Sequence, residues 1–87
     1  MAGIDRITFE PDPPVAESNL IICYDFTGSG ISSTELRVRF TPEVVPDADY
    51  PVSSSEPCVT IAVPHAETID VEDLSGVSPS RRETIDN

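Results

Sequence analysis

The sequence predicts an all-β chain, a small antiparallel sandwich of about seven short strands. Three observations lead there. The longest strongly apolar run, Leu20-Ile21-Ile22-Cys23-Tyr24-Asp25-Phe26, is rich in residues that suit a pleated surface. Thr34–Phe40 and Glu67–Asp73 alternate apolar and polar residues with a period of two. No apolar period of 3.6 is sustained anywhere, and clusters of Pro, Gly and Ser separate the short runs.

Taken in order, Ile4–Phe9 alternates at Ile7 and Phe9 and reads as a first strand. Glu10-Pro11-Asp12-Pro13-Pro14 then forms an extended corner, because proline fixes φ and lacks the N–H that a ladder needs. Val15–Asn19 carries the chain to the central strand, Leu20–Phe26, with Leu20, Ile22, Tyr24 and Phe26 on one side and Ile21, Cys23 and Asp25 on the other, both faces at least partly covered. Thr27-Gly28-Ser29-Gly30 closes it, and a hairpin to Thr34–Phe40 is the simplest connection. In that next strand Leu36, Val38 and Phe40 point inward, while Glu35, Arg37 and Arg39 point to solvent.

Three prolines punctuate Thr41–Pro51, leaving room for short edge strands at Val44-Val45 and near Tyr50–Val52. Ser53–Pro57 is a turn cluster. Cys58–Val63 is a strand stopped by Pro64, with Val59, Ile61 and Val63 on its larger face. Along Glu67–Asp73, Ile69, Val71 and then Leu74 are expected inside, with Thr68, Asp70 and Glu72 outside. After the Ser75-Gly76 turn, the last segment is anchored only by Ile85. The whole chain, 1–87, reads as a single domain in which 81–87 is an edge strand or a frayed tail.

These features resemble an immunoglobulin-like module of the fibronectin type III or bacterial adhesion-domain sort. The matching stretches are Ile7-Thr8-Phe9-Glu10-Pro11, the Pro13-Pro14 corner, the Leu20–Phe26 strand and Ile69–Gly76. Antibody hallmarks are missing, since the chain has no Trp and no Cys two residues after a Tyr in a late strand. The resemblance implies the architecture, an immunoglobulin-like β-sandwich, and no particular activity.

Charge narrows the partners. Sixteen acids face five arginines and no lysine, a net charge of −11. Such a surface repels phosphate backbones, which disfavours nucleic acid and anionic membranes and favours cationic partners or divalent ions. No run approaches the ~20 apolar residues needed to span a bilayer, and the N-terminal Met-Ala-Gly-Ile-Asp-Arg is not a signal peptide, so synthesis in the cytoplasm is expected, for a virion component or an excised extracellular module alike.

The inventory for chemistry is thin. His65, the single histidine, follows Pro64 at a strand end and reads as a surface turn. There is no nucleophile elbow, phosphate loop or His-Glu-x-x-His. No enzyme and no catalytic residue is expected, and two Cys with one His cannot build a four-ligand zinc site. The candidate cofactor is Ca²⁺, from Asp47 and Asp49 in the proline-rich loop and Asp70, Glu72 and Asp73 at the end of a strand, should the two groups meet at one pole; the plainer reading is a solvated acidic surface.

Cys23 and Cys58 lie opposite the larger apolar faces of their strands, so both sulfurs are expected on the outside. They form a candidate disulfide if the strands are neighbours, worth roughly 2–4 kcal/mol. Two reduced thiols are the alternative, favoured where no signal peptide is present. Arg37 and Arg39 make an outward basic pair on a negative molecule, a candidate interface. The function expected is therefore a non-enzymatic protein–protein interaction or assembly module: a structural or decorating subunit of a viral particle or filament, or a module of a surface protein, with self-association open. The alternative is a calcium-stabilised or carbohydrate-binding β-sandwich.

Overall fold

The computed structural model describes residues 5–87, and within them every regular element is a strand. The strands are β1 (Ile7–Glu10), β2 (Asn19–Tyr24), β3 (Ser33–Thr41), β4 (Ala48–Ser53), β5 (Cys58–Ala62), β6 (Thr68–Asp73) and β7 (Arg81–Thr84). They form two antiparallel sheets, a three-stranded one in the order β1-β2-β5 and a four-stranded one in the order β4-β3-β6-β7. Ile4, counted in the first strand from sequence, lies outside the described residues.

Alternation accounts for the core. Ile7 and Phe9, Leu20, Ile22 and Tyr24, and Ile61 point inward from the smaller sheet; Leu36, Val38 and Phe40, Val52, and Ile69 and Val71 point inward from the larger. Leu20, Ile22, Leu36, Ile69 and Val71 are completely buried. Burying each such aliphatic side chain contributes roughly 1.5–3 kcal/mol, the main favourable term available to so short a chain. Phe26 follows the end of β2 and packs on this core, its ring 4.6 Å from that of Tyr24.

Three expectations are corrected. β2 and β3 do not form a hairpin: they belong to different sheets, and residues 25–32 cross from one layer to the other. Leu20, Ile22 and Tyr24 face Leu36, Val38 and Phe40 across the interior, which a shared sheet could not provide. Val44 and Val45 form no strand and are 49% and 38% exposed, because Pro42 and Pro46 bracket them. Leu74 is exposed, and strict alternation in β6 instead carries Asp73 inside at 3% exposure. On the outer face of β2, Ile21 is 37% exposed and Cys23 is half-buried, so that face is partly covered, as expected.

The two sides of the sandwich differ. On the β1/β7 side the layers are tied together. Arg81 Nη1 donates to the Ile7 carbonyl at 2.9 Å, Nη2 reaches Asp12 Oδ2 at 2.7 Å, and the guanidinium lies 4.5 Å from the centre of the Phe9 ring. A parallel bridge joins Val15 to Asp86, with the Ala16 N–H donating to the Asp86 carbonyl and the Asp86 N–H to that of Pro14. The final segment is thus held at both ends: β7 pairs with β6, and Ile85 is buried beyond it. On the β4/β5 side Tyr50 and Val59 point inward yet stay only half-buried.

Candidate functional site

The outer face of the four-stranded sheet carries the most organised polar surface. Odd-numbered residues of β3 point out, so Arg37 and Arg39 stand there one pleat apart. Register sets their neighbours: Arg37 lies opposite Asp49 on one side and Glu72 on the other, and Arg39 lies opposite Asp70, which in turn lies opposite Arg82. Two charged rungs result. One reads Asp49, Arg37, Glu72; the next reads Asp47, Arg39, Asp70, Arg82.

The contacts are direct. Arg37 Nε and Nη2 donate to the two carboxylate oxygens of Asp49 at 2.9 and 3.2 Å, a forked pair. Arg39 Nε donates to Asp47 at 3.0 Å, and Arg82 Nη2 to Asp70 at 2.9 Å. The hydrogen bonds from Arg37 hold the Asp49 carboxyl below its usual range, and Asp49 and Asp47 in turn raise the two guanidinium groups. Arg37, Arg39, Asp70, Glu72 and Ser80 border a shallow depression of about 270 Å³. A third rung, Thr41, Thr68 and Thr84, is uncharged. With Glu35 also pointing out from β3, five acids stand against three arginines, so this face holds two of the chain's −11 net charges and the rest of the molecule the other nine.

Asp47, Asp49 and Asp70, calcium candidates by sequence, each pair with an arginine, and Arg37 and Arg39 lie between the two acidic groups. Asp73 is elsewhere, inside the sandwich, and among the described residues no three of His, Cys, Asp or Glu converge as a metal site.

Asp73 is the polar residue that sequence reading misplaced. At the buried pole its Oδ2 accepts from the Tyr24 hydroxyl at 2.7 Å and the Ser78 N–H at 3.0 Å. Its Oδ1 accepts from the Thr34 hydroxyl at 2.6 Å and the Ser75 N–H at 2.9 Å, and the Ser75 hydroxyl lies within 2.8 Å of both oxygens. Burial opposes the charge, but donors from Thr34, Ser75, Tyr24 and Ser78 outweigh it and hold the carboxyl far below the usual range. The Tyr24 hydroxyl is pushed up to about 12 by its burial and by donating to this carboxylate. The signal was present in the chain: an inward position by parity, followed two residues later by a serine, is the pattern of an Asx turn. Gly76 completes that turn at φ +78°, where a side chain would be strained. Beside it, buried Arg6 donates through Nη1 to the carbonyls of Asp25 and Thr27 at 3.0 and 2.6 Å and, through its backbone N–H, to the Ser78 hydroxyl.

Cys23 and Cys58 are register partners between β2 and β5 and are joined, with an S–S distance of 2.06 Å and Cα atoms 4.0 Å apart. Antiparallel pairing sets the two side chains against each other on the outer face of the smaller sheet, where Cys58 is exposed. His65 lies at the surface, its Nε2 2.9 Å from Glu17 and its Nδ1 3.1 Å from Asn87, and these contacts, with Asn87 leading, raise its pKa.

Comparison with protein-family models, with curated proteins and with solved structures returned no match.

Proposed function

We propose that this chain is a non-enzymatic protein–protein interaction or assembly module that meets its partner through the outer face of the β4-β3-β6-β7 sheet. The observation that carries this reading is the nearly neutral charged ladder of Asp47/Asp49, Arg37/Arg39, Asp70/Glu72 and Arg82, on a molecule that is strongly negative elsewhere. Another macromolecule can approach this face with little long-range repulsion, whereas the remaining surface repels anything acidic. The pairs are solvent-exposed, Arg37 at 41% and Asp49 at 36%, so exchanging an intramolecular partner for one on another protein costs little. Arginine forks make directional contacts to carboxylates, which sets register with a partner as well as attraction.

The settings that suit such a module are a decorating or structural subunit of a viral particle or filament, or a domain of a surface protein. The three-on-four strand order supports the resemblance to fibronectin type III modules. Affinity capture from the native source, comparing the wild type with the double variant Arg37→Glu, Arg39→Glu, tests the reading. A partner held by the wild type and lost by the variant is expected. Equal capture by both refutes the assignment of this face.

A further inference from the structure

The four edge strands of the sandwich are not equally protected against pairing with foreign strands. β1 carries Glu10, and the carbonyl of Ile7 is occupied by Arg81. β4 carries Asp49 and Pro51, and β7 carries Arg81, Arg82 and Glu83. Charge and proline are the ordinary means of blunting an edge. β5, Cys-Val-Thr-Ile-Ala over residues 58–62, has neither.

The ladder shows which groups it leaves open. The Tyr24 N–H donates to the Pro57 carbonyl and the Val63 N–H to that of Ser18, so pairing toward β2 falls on alternate residues and includes Val59 and Ile61. The N–H and C=O groups of Cys58, Thr60 and Ala62 therefore point away from β2. None of them is hydrogen-bonded elsewhere among the described residues, and all three residues are exposed. Among the described residues the smaller sheet has three strands and the larger one four. Where a fourth strand of the smaller sheet would lie, the inward-facing Val59, Tyr50 and Ala48 are only half-covered, and Val44 and Val45 stand exposed in the segment leading into β4.

We propose that β5 is a strand-addition site, which takes an extended segment of a partner protein as the fourth strand of the small sheet. The occupant is apolar on the side facing Tyr50 and Val59, hydrogen-bonded to Cys58, Thr60 and Ala62, and cationic at its ends. Cationic ends follow from the charge of −11, to which Glu56, just before β5, contributes. This goes beyond the interaction-module reading by adding a second contact surface, at the edge of the other sheet, so the capture experiment above and the one below fail independently.

The probe is a synthetic nine-residue peptide of alternating threonine and valine flanked by paired lysines, titrated into the ¹⁵N-labelled, disulfide-intact chain. The expected result is shifts concentrated at Cys58, Thr60 and Ala62 and at least tenfold slower amide exchange at Thr60 and Ala62. A peptide with alternate amides N-methylated should bind at least tenfold more weakly, because it cannot donate to the edge. Thr60→Pro, which removes an N–H that β2 does not use, should weaken binding by the same factor. Three results overturn the proposal: no shift at millimolar peptide, shifts at Arg37 and Arg39 instead, or binding indifferent to N-methylation. Protection of the same amides that grows with protein concentration and needs no peptide also overturns it, assigning the edge to a second copy of the chain.

Discussion

Replacing Asp73 with asparagine should be among the most damaging single-atom changes available in this molecule. The carboxylate offers two acceptor oxygens, and both are used: Tyr24 and Ser78 donate to one, Thr34 and Ser75 to the other. An asparagine keeps one acceptor and puts an NH₂ in place of the second. In one orientation that NH₂ faces the Ser78 N–H; in the other it faces the Ser75 N–H. Neither backbone donor can turn round to accept. Hydroxyl groups can rotate, so Tyr24 and Thr34 adapt, but one buried N–H is left without a partner in either case. Losing a hydrogen bond to a charged group costs about 1.5–3 kcal/mol and stranding a buried donor about 1–3 kcal/mol more. Asp73→Asn should therefore lose about 3–5 kcal/mol, out of a total that is about 5–10 kcal/mol for a domain of this size. At about 4–8 °C per kcal/mol, Tm falls by at least about 12 °C.

Urea unfolding followed by far-ultraviolet circular dichroism at pH 7, with the disulfide intact, measures this directly, and Glu72→Gln on the exposed face is the control. The pH dependence supplies an independent check with a definite sign. The folded pKa of Asp73 lies below its unfolded value, so its contribution is present above the unfolded carboxylate value of about 3.9 and disappears as pH falls through that value toward the folded one. The variant lacks this component of acid lability. Stability within about 1 kcal/mol of the wild type at pH 7 would refute the account of the buried pole.

Four further outcomes follow from the same geometry. Tyr24 has a folded pKa raised to about 12, so the stability it confers is complete below pH 10 and declines between pH 10 and about 12; alkaline unfolding should show this limb in the wild type and lose it in Tyr24→Phe. Reducing the Cys23–Cys58 bond, which closes a 35-residue separation, should lower stability by about 4 kcal/mol in denaturant titrations with and without dithiothreitol. Arg81→Met keeps the aliphatic stem but releases Ile7 and Asp12, and should cost about 2 kcal/mol while speeding amide exchange at Ala16 and Asp86, where the chain end is bridged to the first loop. Arg37→Glu with Arg39→Glu should leave the circular dichroism spectrum unchanged and lower Tm by only a few degrees, because exposed pairs hold little of the fold together.

The class of fold, the inward set Leu20, Ile22, Tyr24, Leu36, Val38, Phe40, Ile69 and Val71, and the outward placement of Arg37 and Arg39 were all legible in the chain, because strand parity is a local property that each segment carries by itself. Which strands became neighbours was not. The crossing of residues 25–32 between layers, the meeting of Cys23 with Cys58, and the placement of Asp47/Asp49 and Asp70/Glu72 on either side of the arginines all depend on pairing between segments distant in sequence. Asp73 shows the division most clearly. Alternation was enough to send it inward, but an isolated strand gives no reason to bury a carboxylate; only the assembled pole, with donors arriving from β2, β3 and the turn after β6, makes the charge tolerable there.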